Sequence, residues 1–512
     1  MIKPLRPLLL LLYVAVFLAL ALTFLPSEFR ISDTITLRSF SVRSLFEKPQ
    51  DSYADISAIT SQFSTADSVA QQPKVSPVER TDTQKAALDT LSALNLPVES
   101  QYRLQFPEGD STVLNNFFTA LRELSANQLI RVLHYGDSQI EGDRISSYLR
   151  NKLQQRFGGC GVGLVPLLDA VGSRISMAQY SDPEWKKLFV YSNGYKKSQA
   201  NSYGVMGAVY RYSSPAKAFR ESRSAMHDTL RDSAQHRVYT PRKRPGVVVS
   251  YTELERGYPL DKQAQTVKLL YRNPQGPFQI AIRENRDSTY WTQVDTTSQF
   301  RIFTHRLKRD FNKLTLTFSG SPSPDLYAAA LDCEKGVAVD NIPFRGSSGI
   351  DFTRMNRALL GIQIRALNVK MIILQFGVNV VPYEQKDYSF YEQGLYRQLK
   401  LFKEMAPNVS ILVIGVSDMS RREGNSYVSY GNIEKIRDAQ RKAAFQAGCA
   451  FWDTYTAMGG KNSMPSWVFA KPALAKHDFT HFTPKGAMII SEMVYKALIH
   501  EYEKFRAASL VQ

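Results

Sequence analysis

Residues 129–153 constrain the fold most. The apolar run Leu129-Ile130-Arg131-Val132-Leu133 reads as a strand, and Ile145, Tyr148, Leu149 and Leu153 then recur at helical spacing. Between them stands Gly136-Asp137-Ser138-Gln139-Ile140-Glu141-Gly142-Asp143-Arg144. A serine there sits on a sharp strand-to-helix turn, at a sheet edge and near the positive end of a helix dipole. Such exposure suits a nucleophile with a base beside it, because a free hydroxyl is a poor nucleophile. A Gly-Asp-Ser tripeptide also arises by chance, and Ser138 taken alone reads as a helix cap.

Far along the chain comes Asp478-Phe479-Thr480-His481, leading into a helix patterned by Met488, Ile489, Val494 and Leu498. A spacing of three lets the carboxylate fold back on the imidazole, fixing its tautomer and supporting the imidazolium formed on taking a serine proton. Without Ser138 the same two residues form a capping pair. The order Ser, Asp, His, with the last two nearly adjacent, resembles the SGNH (GDSL) hydrolase superfamily. There "GDS" opens the domain and "DxxH" closes it.

That resemblance implies two further blocks, which supply donors to an oxyanion. Gly346-Ser347-Ser348-Gly349-Ile350-Asp351 follows the run Gly336-Val337-Ala338-Val339-Asp340-Asn341-Ile342, and Gly349 fits the glycine block better than Gly346. Lys370-Met371-Ile372-Ile373-Leu374-Gln375-Phe376 reads as a buried strand ending in Gly377-Val378-Asn379, where Asn379 fits the asparagine block. Val380 stands where the family usually has an acidic residue. The resemblance makes Ser138 the nucleophile, His481 the base and Asp478 its orienting partner. The amides of Ser138 and Gly349 with the Asn379 side chain form the oxyanion hole. It implies no metal and no organic cofactor. His477 and His481 at i,i+4 would offer two imidazoles, but no HExxH motif or cysteine cluster adds ligands.

Helical periodicity over residues 113–124, 391–404 and 433–447 alternates with strands such as Ser410-Ile411-Leu412-Val413-Ile414 and Ala450-Phe451-Trp452. This predicts an α/β, three-layer fold with a parallel sheet covered on both faces. About 200 residues separate the serine and glycine blocks, and runs such as Phe278-Gln279-Ile280-Ala281-Ile282 and Leu314-Thr315-Leu316-Thr317-Phe318 have period two. Residues 174–330 are expected to be an inserted all-β, jelly-roll-like module. It splits the hydrolase domain into 105–173 and 331–505. Tyr210, Tyr212, Tyr271, Tyr290 and Trp291 serve there as core or as sugar-stacking platforms. In Gly415-Val416-Ser417-Asp418-Met419-Ser420-Arg421-Arg422, Asp418 and Arg421 either contact substrate or pair at the surface.

Lys3 and Arg6 precede an uncharged, Leu-rich run over residues 7–27. Its length matches the ~20 apolar residues of a membrane span, with the N-terminus inside. Residues 1–27 are therefore expected to form a transmembrane signal anchor, making the inner membrane a partner of a periplasmic catalytic domain. Cleavage near Ala19-Leu20-Ala21, followed by secretion, is the alternative. Residues 28–104 read as a flexible periplasmic tether, the Ser, Thr, Asp, Gln and Pro of 51–83 especially. Three cysteines leave at least one unpaired. The formal charge of +17 comes without a nucleic-acid motif and is densest around Arg220 to Arg244; it reads as a face for anionic lipid, lipopolysaccharide or a cell-wall polymer, or as solvated surface.

The domain order resembles the bacterial peptidoglycan O-acetylesterases. That implies an exported serine esterase acting on an O-acetylated glycan of the bacterial cell envelope. A glycan O-acetyltransferase would use the same site with a sugar hydroxyl in place of water. A non-catalytic glycan-binding scaffold is the reading from another class.

Overall fold

The computed structural model describes residues 5–24, 28–32, 35–38, 53–63, 100–124, 128–169, 174–191, 203–213, 246–273, 275–308 and 312–509. The basic segment around Arg220 to Arg244 lies outside the described residues. The architecture is a mixed parallel and antiparallel, multi-sheet α/β fold, consistent with an SGNH-like domain plus an inserted β module.

Five parallel strands make the central sheet, in the spatial order Gly336–Pro343, Leu129–Gly136, Val369–Gln375, Ser410–Ile414 and Ala450–Trp452. The first strand in sequence thus lies between the second and third. Ligands in such sheets bind outside the strands' carboxyl ends, at the point where the order reverses. Strand Leu129–Gly136 is buried on both faces, as a covered parallel sheet requires. Ile130 and Val132 join one core with Phe117, Leu149, Leu153 and Ile489. Leu133 and Tyr135 join another with Leu360, Leu399 and Phe402. Helices Ser146–Phe157 and Pro484–Ser509 cover the first face, and Arg357–Ala366 and Ser389–Met405 the second.

In sequence, two antiparallel sheets among the described residues intervene between the nucleophile strand and Gly336–Pro343, which pair directly in space. One runs Tyr290–Val294, Phe278–Glu284, Lys313–Ser319, Val247–Glu253, Met177–Ser181. The other runs Thr297–Arg306, Thr266–Asn273, Asp325–Asp332, Ala208–Tyr212, Trp185–Phe189, with Gly163–Val165 beside Asp325–Asp332. Period-two side chains meet between them, Ile280, Leu316 and Val249 facing Leu269 and Leu331 in one core. Tyr210, Tyr212 and Tyr271 are buried there, whereas Tyr290 and Trp291 are exposed.

The two parts are bonded through buried charge. Arg131, on the nucleophile strand, pairs at 2.5 Å with both Asp340 and Asp332. Arg150, on the following helix, pairs with Asp143 and Asp261. A disulfide joins Cys160 to Cys333, and Cys449 is free and buried. Ile56, Ile59 and Phe63 recur at helical spacing and bury against the hydrolase core, so residues 53–63 are packed onto it. Ser466 Oγ fixes this segment by donating to the Ala54 carbonyl at 2.6 Å.

The N-terminal expectation requires correction. Among the described residues, no helix is long and apolar enough to cross a membrane. This overturns the transmembrane segment, and with it the inner membrane as partner and as place of anchorage.

Candidate active site

Strand Leu129–Gly136 ends at a backbone so tight that a Cβ on Gly136 would lie 2.8 Å from the Gln375 carbonyl oxygen. The next residue, Asp137, is buried, and its carboxylate accepts from the amides of Gln139 (3.0 Å), Gly377 (3.1 Å) and Val378 (3.3 Å). One side chain therefore shapes the serine turn and the loop that carries Asn379. Burial pushes the Asp137 carboxyl up to about 7, opposed by those three amides and by the charge of Arg144. Alanine at Asp137 would leave three buried amides without their acceptor, at about 1–3 kcal/mol each before relaxation. We expect Asp137→Ala to lower unfolding free energy by about 3 kcal/mol or more in urea titrations. A raised folded-state value means that Asp137 stabilises fully below the ordinary aspartate range and that this is lost as pH rises through about 7. The variant should therefore lose part of the wild type's decline in stability across that window.

Ser138 Oγ lies 2.8 Å from His481 Nε2. His481 Nδ1 lies 2.9 Å from Asp478 Oδ2, while Asp478 Oδ1 accepts the amides of His481 (2.9 Å) and Thr480 (3.0 Å). Burial raises the Asp478 carboxyl, but these hydrogen bonds outweigh it and hold the group below its ordinary value. The imidazole is thereby gripped through ring and backbone by one carboxylate. Phe479 adopts a positive φ of 52° and stacks on Tyr427 with centroids 3.7 Å apart, pinning the loop between Asp478 and His481. Side-chain exposures of 25% for His481 and 47% for Asp478 leave the site open at the surface.

Three residues around the serine escaped the sequence reading. Asp137 is the first. Gln139, buried, donates to the Thr480 carbonyl at 2.6 Å and to Ser417 Oγ at 3.2 Å, tying the serine turn to the histidine loop. Arg144 donates to the Ser138 carbonyl, and its charge acts on Glu141, Asp478 and Asp137. Burial holds the Arg144 guanidinium below its ordinary value. No sequence signal marked them, because the groups that enclose Asp137 and Gln139 come from distant segments.

The expected oxyanion donors are unequally placed. The Ser138 amide has no acceptor among the described residues. Asn379 Nδ2 donates to the Ser347 carbonyl at 2.9 Å, which leaves its second N–H. The Gly349 amide is given to Ser347 Oγ at 2.9 Å, and that hydroxyl donates to Asp351 at 2.5 Å. Gly349 has φ +83°, and a Cβ there would meet the Phe376 ring at 2.7 Å.

Asp418 and Arg421 are not brought together. Asp418 is fully buried and accepts the Met464 amide at 2.7 Å, with burial pushing its carboxyl up to about 6. Arg421 is paired with Glu384 and lies over the Tyr430 ring. The loop between them supports the site through the Ser420 amide, which donates to the Phe479 carbonyl.

Residues 312–489 match the GDSL-like Lipase/Acylhydrolase family model. That region contains Gly349, Asn379, Asp478 and His481, and Ser138 precedes it. No curated protein matches the chain. A solved peptidoglycan O-acetylesterase is similar at 18% identity and TM-score 0.58, over 78% of this chain and 99% of that one. A putative GDSL-like lipase from Parabacteroides merdae ATCC 43184 gives 17% identity and TM-score 0.25, over 32% of this chain and 74% of its own. An acetyl xylan esterase, AlAXEase, gives 14% identity and TM-score 0.25, over 32% and 81%. The family match marks residues 312–489 as similar to a GDSL-like domain, and the O-acetylesterase likeness shows a shared fold.

Proposed function

We propose that the chain is a serine esterase that removes O-acetyl groups from a cell-wall glycan of the peptidoglycan kind. The observation that carries this reading is the continuous chain from Ser138 Oγ through His481 to Asp478, at the carboxyl edge of the sheet. Ser138 Oγ attacks the acetyl carbonyl carbon while its proton passes to His481 Nε2. The tetrahedral intermediate collapses, and the sugar oxygen leaves with the proton held on His481. Water then attacks acetyl-Ser138, giving its proton to the same nitrogen, and acetate departs as Ser138 recovers its hydrogen.

The negative oxygen is held by the Ser138 amide and the second N–H of Asn379; the Gly349 amide joins them once it exchanges its bond to Ser347. Asn379→Ala should lower kcat about 10²-fold with a much smaller change in KM, because this donor matters most as charge develops. A raised KM with unchanged kcat would make Asn379 a ground-state binding residue.

An open site suits an ester carried on a polymer, and the O-acetylesterase likeness supports acetyl as the group removed. The Cys160–Cys333 disulfide suits an oxidising compartment such as the bacterial cell envelope. The test is acetate release from O-acetylated peptidoglycan, acetyl-xylan and p-nitrophenyl esters of increasing chain length, with and without a glycan acceptor. Release from peptidoglycan, with activity falling as the aryl ester's acyl chain lengthens, is expected. Transfer of acetyl to the acceptor instead of release would make the enzyme a transferase.

A further inference from the structure

The outer face of the inserted module carries a groove of about 460 Å³, formed by the sheet that begins at Tyr290–Val294 and ends at Met177–Ser181. Its shape follows from register. Arg283 pairs with Thr315, Thr315 with Ser250, and Ser250 with Tyr180, so these four side chains cross the sheet in one row on one face. Trp291 is opposite Ala281 in the next row, which leaves its indole standing over a small neighbour. The alternate residues of the same strands, Ile280, Leu316 and Val249 among them, fill the module's core. Burial of the sandwich therefore does not account for the aromatic residues on the outer face.

Those aromatics frame the groove. Trp291 is 49% exposed on one edge strand and Tyr180 is 53% exposed on the other. Four strand spacings separate these strands, roughly 19 Å. Tyr180 is held in place by its hydroxyl, which donates to Asp182 at 2.9 Å. The floor between them is short and bears hydroxyls. Arg283 and Lys313 bring positive charge to the groove and form no ion pair with another described residue.

We infer that this groove is a second glycan site, distinct from the catalytic edge, for a polysaccharide strand that carries carboxylates. Trp291 and Tyr180 stack on the apolar faces of separate sugar rings, the serine and threonine hydroxyls meet ring hydroxyls, and Arg283 and Lys313 hold a carboxylate. Two platforms that far apart select a chain over a monosaccharide. On the esterase reading, on which this use of the groove rests, the module retains the polymer while another stretch of it reaches Ser138.

Binding can be measured without turnover by using the full chain with Ser138→Ala. The probe is soluble, carboxylate-bearing glycan strands from peptidoglycan, with neutral xylan as comparison. In that background Trp291→Ala should weaken binding of the acidic strands about tenfold, and Tyr180→Ala should act in the same direction. Arg283→Gln with Lys313→Gln should abolish the preference for acidic over neutral glycan. With Ser138 intact, Trp291→Ala should lower kcat/KM on the polymer about tenfold and leave an aryl acetate unaffected. Unchanged affinity in folded Trp291→Ala and Tyr180→Ala proteins would overturn the site, and equal binding of xylan by the parent would overturn its acidic ligand. If the wild type hydrolyses no ester at all, the esterase reading fails while the binding series still decides the groove.

Discussion

Ser138→Ala is expected to lower ester turnover by about 10³-fold or more while the protein stays folded. Among the described residues, Ser138 Oγ has one hydrogen-bond partner, His481 Nε2. Losing one such bond at a part-buried position costs about 1 kcal/mol. The carbonyl of the same residue, which Arg144 holds, is untouched by the change. Thermal unfolding should therefore move little while turnover collapses, and a fluorophosphonate probe should label the wild type alone. Labelling that persists in the variant would place the nucleophile elsewhere.

Asp478→Asn is expected to cost about 10³-fold in kcat, through the proton on the imidazole and not through its position. Asp478 uses one oxygen for the His481 and Thr480 amides and the other for His481 Nδ1. An asparagine has a single oxygen. Kept on the two amides, it turns its NH₂ toward Nδ1, which must then accept. The ring proton moves to Nε2, and Nε2 can no longer take the proton of Ser138. In the wild type, hydrogen bonds outweigh burial and hold the Asp478 carboxyl below its ordinary value, so it stays ionised to lower pH than an ordinary aspartate. Its stabilising effect is complete above that range and is lost as pH falls through the lowered folded-state value. The pH–rate profile of the wild type should therefore show no acid limb from Asp478 at mildly acidic pH. A loss below tenfold in the variant would leave Asp478 as a loop cap only.

That Ser138, Asp478 and His481 come together was legible because their chemistry fixes residue type and local spacing, and because an apolar run marks the strand before Ser138. The two antiparallel sheets were legible through period two. Asp137, Gln139 and Arg144 were not, because their partners are Gly377, Thr480 and the serine carbonyl, brought near only by the fold. The Gly349 amide was expected to donate to an oxyanion, and here it donates to a hydroxyl two residues back. Asp418 follows a strand, where side chains often face substrate, but the chain at Met464 encloses it. The apolar run near the start was read as a span from hydropathy alone, and no described helix meets that requirement. The reading of Tyr210, Tyr212, Tyr271, Tyr290 and Trp291 left core and platform open, and only burial separates them.

The most direct test is to trap the acyl-enzyme. The wild type is mixed with O-acetylated peptidoglycan, quenched in acid before turnover is complete, digested and mapped by mass spectrometry. An acetyl group on the peptide containing Ser138, absent from the Ser138→Ala protein and lost on longer incubation with release of acetate, is the predicted result. Acetate released with no acetyl adduct on Ser138 at any quench time, in a protein that fluorophosphonate also fails to label there, would contradict the account.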